Sequence, residues 1–144
     1  MKALLVTVGE TSDYYSTVIS PETISEVAVS NNMVCLKLLC EEYKIRSRDS
    51  FPFDILKKMI VNVTRNRLNL VLSFILSEEK LFKTHESMFN EAVIETSKNG
   101  HLGCCLLLVD KITDEEILNQ AIRIAEENSN FDVANLLPGF KFRN

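Results

Sequence analysis

Tryptophan is absent from this 144-residue chain, and glycine (4), proline (3) and histidine (2) are scarce. So few breakers suit helices joined by short turns. No run approaches the ~20 apolar residues of a membrane span. The opening MKALLVTV is too short for the core of a signal peptide and its cleavage site. A soluble, intracellular and cytoplasmic chain is therefore expected. The four cysteines (Cys35, Cys40, Cys104, Cys105) show no paired CxxC framework and sit in apolar runs. Reduced core thiols are the expectation, with neither disulfides nor a metal nor any other cofactor. No glycine-rich loop is present to cradle a phosphate.

What is present is ordinary for a globular chain. Hydrophobic residues make up 46% and charged residues 25%, which argues against disorder, and the length suits a single domain spanning 1–144. Net charge is −4, unevenly spread. Residues 44–83 hold nine Lys or Arg against four Asp or Glu, and residues 86–132 hold three against ten. A basic middle followed by an acidic third implies a dipolar surface that favours oriented encounter with a charged protein.

The stretch Thr96 to Val109, TSKNGHLGCCLLLV, places a polar Asn-Gly turn between two apolar-periodic segments. It reads as a helical hairpin. The shape recurs. Leu4, Leu38, Leu72 and Leu106 are spaced 34 residues apart, and polar turns stand at Asn31-Asn32, Arg65-Asn66, Asn99-Gly100 and Asn128-Ser129. Val34, Leu68, Leu102 and Phe131 open the second helices at intervals of 34, 34 and 29. The fold class expected is all-α, a short α-solenoid of antiparallel hairpins at 21–43, 54–76, 87–109 and 114–137. Residues 1–20 form a cap and loop, with 1–8 readable as helix or strand, and 138–144 form a tail. One hairpin cannot bury both its apolar faces, but a stack can.

Local signals support these boundaries. Ser20-Pro21-Glu22 is a strong helix start, and Thr113-Asp-Glu-Glu116 fits a capping box. Ala28, Ala92, Ala121 and Ala125 are small residues placed where neighbouring hairpins would approach closely. Lys44 to Phe53 reads as a basic loop. The register predicts Leu38, Leu72, Leu106 and Leu136 buried at equivalent places.

The NGHL segment at Asn99–Leu102, the doubled leucines and the 34-residue spacing resemble an ankyrin repeat. The resemblance covers about residues 21–137, although no hairpin carries that family's TPLH helix start or its Gly-Ala-Asp loop. It implies a non-enzymatic, ankyrin-like protein–protein interaction module that blocks or sequesters its partner through a concave face of loops and first-helix residues. It also implies that His101 bridges neighbouring repeats. On this chain the implied contact residues are Tyr14, Tyr15, Tyr43, Arg46, Arg48, Phe51, Phe53, Arg65, Arg67, Phe82 and His85, mostly the aromatic and Arg types that dominate interfaces, with Phe51, Phe53 and Phe82 reading equally well as staples of loops to the core. Divergent ankyrin-like proteins rich in Asn, Ile and Lys occur in viruses and phages as antagonists of host defence.

His101 and Cys104 share a helical face, but a zinc site wants more ligands at set spacings. A Cys–His nucleophilic pair using His85 or His101 wants an exposed, electropositive thiol. The carboxylate pairs Glu78-Glu79, Asp114-Glu115-Glu116 and Glu126-Glu127 fall where helix-end charge explains them. A small helical enzyme or ligand-binding bundle is the rival reading. The basic zone Lys44, Arg46, Arg48, Lys57, Lys58, Arg65, Arg67, Lys80 and Lys83 is the only candidate for nucleic acid. An acidic pI and no array of stacking aromatics argue against that, and for a protein partner with an acidic surface.

Overall fold

A computed structural model describes residues 19–47 and 50–140. Residues 1–18, with Tyr14 and Tyr15 and the helix-or-strand segment 1–8, lie outside the described residues. So do Arg48 and residues 141–144. The described residues hold eight α-helices and no strand. They are α1 (Pro21–Val29), α2 (Met33–Arg46), α3 (Phe53–Arg65), α4 (Asn69–Ser77), α5 (Ser87–Asn99), α6 (Leu102–Leu108), α7 (Glu115–Glu127) and α8 (Phe131–Leu136). Short 3-10 turns follow α6 at Val109–Lys111 and α8 at Leu137–Phe140.

The ends of these helices show why the sequence folds where it does. Ser20 Oγ accepts from the Thr23 amide at 3.2 Å, with Pro21 behind it. Asn32 Oδ1 accepts from the Cys35 amide at 3.1 Å to open α2. α7 departs from expectation: Asp114 caps it, accepting from the Glu116 amide at 2.9 Å. The Thr113 hydroxyl is not the cap; it donates to the Glu86 carboxylate across to the start of α5. The first hairpin's second helix also runs on to Arg46, so Lys44 and Arg46 stand on a helix rather than in a loop.

All four hairpins, α1/α2, α3/α4, α5/α6 and α7/α8, turn on a residue in the left-handed region: Asn31 (φ 62°), Arg67 (φ 59°), Gly100 (φ 72°) and Ser129 (φ 60°). The residue after each opens the second helix, namely Asn32, Leu68, His101 and Asn130, spaced 36, 33 and 29 residues. From that residue, the third, fourth and seventh positions are buried every time: Cys35, Leu36 and Leu39; Val71, Leu72 and Ile75; Cys104, Cys105 and Leu108; Val133, Ala134 and Leu137. This corrects the leucine register. Leu72 is buried, but its counterparts are Leu36 and Cys105; Leu38 and Leu106 are 38% and 49% exposed, and Leu136 is only partly buried. The constant 34-residue period fails because doubled leucines place one member inward and one outward.

The buried apolar side chains form one cluster from Ile19 to Leu137. Within it α1 packs on α3, α3 on α5 and α5 on α7, while α4 packs on α6 and α6 on α8. Ala28, Ala92, Ala121 and Ala125 are all fully buried in the first helices. Two glycines allow close approach in the same region. A Cβ on Gly103 would meet Asn69 Nδ2 at 2.2 Å, and one on Gly100 would meet Asn130 Oδ1 at 2.7 Å.

Candidate interaction surface

α3 carries the helical spacing 54, 57, 58, 61, 62 and 65 on one face and the buried Leu56, Met59, Ile60, Val63 and Thr64 on the other. The first face opens into a groove of about 570 Å³, lined by Asp54, Lys57, Lys58, Val61, Asn62 and Arg65, and closed on one side by Glu91 of α5. Its floor is apolar, since Val61 is buried, and its rim is charged in both signs. Arg65 already has a partner: its Nη2 lies 3.1 Å from Glu95 Oε1. That bond, ahead of any other influence, holds the Glu95 carboxyl below the usual range and raises the Arg65 guanidinium. Lys57 and Lys58 are the groove's cations with no ion pair among the described residues.

The aromatic residues expected on the surface are elsewhere. Tyr43 and Phe51 meet edge to face with ring centres 5.7 Å apart, and Phe51 and Phe82 likewise at 5.0 Å. All three are buried, which corrects the contact reading of Tyr43 and, for Phe51 and Phe82, matches the alternative that they staple loops to the core: they tie the end of α2 to the segments before α3 and after α4. Phe53, by contrast, is 47% exposed at the start of α3. Lys44 beside the trio bonds Glu41 at 2.8 Å and Glu78 at 3.3 Å, and the Glu41 bond is the main reason its ammonium is raised. Arg46 takes Glu42 at 3.0 Å on its own helix. Arg67 is exposed in the second hairpin's turn. His85 is exposed too, but it works locally: its Nδ1 accepts from the amide of Ser87, the first residue of α5, at 3.2 Å.

His101 is a structural bridge. It is buried, and its Nδ1 lies 2.8 Å from the carbonyl of Thr64 in the previous hairpin. A carbonyl only accepts, so Nδ1 carries the proton. Asn130 occupies the same place one hairpin later and donates to the Ser97 carbonyl at 2.8 Å and the Lys98 carbonyl at 3.0 Å. Cys104 donates from Sγ to Asn69 Oδ1 at 2.9 Å. Among the described residues no group of three metal-ligating side chains converges. Burial is the main force raising the thiols, Cys40 to about 12 and Cys104 to about 11, with Cys105 raised as well. These are core thiols, the opposite of activated nucleophiles.

Sequence reasoning placed Lys57, Lys58 and Arg65 in the basic zone but missed the groove. The 3-and-4 spacing of α3 carried that signal. Glu91 was beyond reach because only packing of α3 on α5 brings it alongside. No described helix is long and apolar enough to cross a membrane. The chain matches no protein-family model, no curated protein and no solved structure.

Proposed function

We propose that this chain is a non-enzymatic, ankyrin-like α-solenoid that binds a protein with an acidic surface and acts by blocking or sequestering it. The groove along α3 carries this reading. It is open, floored by an apolar side chain and rimmed by two lysines without an ion pair among the described residues, which suits an acidic side chain or helix end from another protein. The regular turn-and-burial register of the four hairpins supports the ankyrin-like part of it. A polyphosphate fits less well, because the Asp54 and Glu91 carboxylates share the groove. The buried thiols of Cys40, Cys104 and Cys105, raised by burial, are poor candidates for an enzyme's nucleophile.

The test is affinity capture from extract of the native host, comparing wild type with Lys57→Glu, Lys58→Glu. Reversing both charges should lower affinity for the captured partner about tenfold or more, mainly by slowing association, and leave the melting temperature nearly unchanged. Undiminished affinity in the double variant would sink the reading.

A further inference from the structure

α2 is apolar on two sides, and the rest of the described residues bury only one of them. Cys35, Leu36, Leu39, Cys40 and Tyr43 face the core. On the other side Val34 is 70% exposed, Ile45 is 75% exposed, and Leu38 joins them. At 3.6 residues per turn these three lie within about 40° of one another around the helix. A surface helix is normally polar on its outer side, and one apolar all round belongs in an interior. α2 packs less closely on α4 than α4 packs on α6.

We propose that a second copy of this chain covers this side, the two α2 helices lying antiparallel about a two-fold axis at the level of Leu38 and Leu39. The charges flanking the stripe choose the occupant. Lys37 and Glu41 lie on the same flank, one on each side of that level. A two-fold interface sets residue i against j and j against i. Antiparallel pairing centred between them therefore places Lys37 against Glu41 of the partner subunit, twice. The same centre sets Val34 against Ile45 of the partner subunit to within about one residue, ~1.5 Å of rise. Leu38 then lies beside its own copy. Among the described residues Lys37 has no ion pair, so the contact gives it one. One helix face is a small interface, so association in the ~10–100 μM range is expected.

Sedimentation equilibrium of the full chain from ~5 to ~300 μM reads this directly. The mass should climb towards the dimer with rising concentration. Val34→Glu, Ile45→Glu should stay monomeric throughout and melt like wild type. Lys37→Glu should weaken the dimer about tenfold, and Lys37→Glu, Glu41→Lys should restore it, because the swapped charges face each other again. A wild-type chain monomeric over the whole range would overturn the proposal, as would a Val34→Glu, Ile45→Glu dimer as tight as wild type. Failure of the charge swap to recover what Lys37→Glu loses would overturn the antiparallel pairing.

Discussion

The junction between the first and second hairpins is built differently from the two that follow. At the later junctions the residue opening the second helix reaches back into the previous hairpin: His101 to the Thr64 carbonyl, Asn130 to the Ser97 carbonyl. Both acceptors stand three residues before the left-handed turn residue of their own hairpin. At the first junction that opening residue is Leu68, which has no donor in its side chain. Among the described residues the equivalent carbonyl, Ala28, accepts from backbone amides of its own turn and from no side chain of the second hairpin. There α2 packs less closely on α4 than α4 does on α6, and the Tyr43–Phe51–Phe82 cluster lies at this junction. Directional bonds let second helices stack closely, whereas aromatic volume bridges a gap without fixing spacing. The looser first junction goes with the exposed apolar stripe of Val34, Leu38 and Ile45 on α2.

The largest test of this contrast is Phe82→Ala. Phe82 is the inner member of the trio and fully buried, so truncation should cost ~3–5 kcal/mol, read from urea denaturation. Phe82→Leu should recover much of that, since volume rather than ring geometry is what the gap requires. If the alanine variant is as stable as wild type, the aromatic cluster does not hold the first junction.

His101→Ala probes the second junction and should cost less, ~1–3 kcal/mol, by removing one buried bond and leaving the Thr64 carbonyl short of a partner. His101→Asn should lose clearly less than His101→Ala, because the fourth hairpin already uses Asn130 in that position. Equal losses in the two variants would show that ring packing, not the bond to Thr64, is what the junction uses.

The sequence disclosed the hairpins better than their register. The Ser20-Pro21 start, the Gly100 turn and the row of buried alanines were legible from local chemistry, while the bridging role of His101 came only as what the ankyrin resemblance implies. The register was not, for two reasons. Leucine lies on both faces of the second helices, with Leu39 inward and Leu38 outward, while cysteine and alanine take core places at Cys35, Cys104, Cys105 and Ala134. Three of the left-handed turn positions are held by Asn31, Arg67 and Ser129, and only asparagine advertises that backbone. The site was hidden by distance. Tyr43, Phe51 and Phe82 looked like contact residues because nothing local says that three aromatics so far apart in sequence will bury one another. The face of α3 was readable from spacing, but its wall on α5 was not.

The smallest effect separates the junctions from outside. Each of the first two carries one surface ion pair, Lys44–Glu78 at the first and Arg65–Glu95 at the second. Such pairs contribute little, so Glu95→Gln should cost under ~1 kcal/mol at neutral pH. Its pH dependence is more telling than its size. The Arg65 bond lowers the Glu95 carboxyl in the folded chain below its ordinary value of 4.5. The folded state thus binds fewer protons there than the unfolded state, and the contribution is fully present above about pH 4.5. It fades as pH falls through the lowered folded value. The alkaline limb is less informative for Lys44–Glu78, because the buried thiols of Cys40 and Cys104 destabilise the fold as the unfolded chain ionises above 9.0. Acid titration of wild type and Glu95→Gln should therefore give stability curves that differ at pH 6 and converge towards pH 3. Curves offset by the same amount at both ends would mean that Glu95 stabilises the second junction by packing, and that its charge on Arg65 contributes nothing.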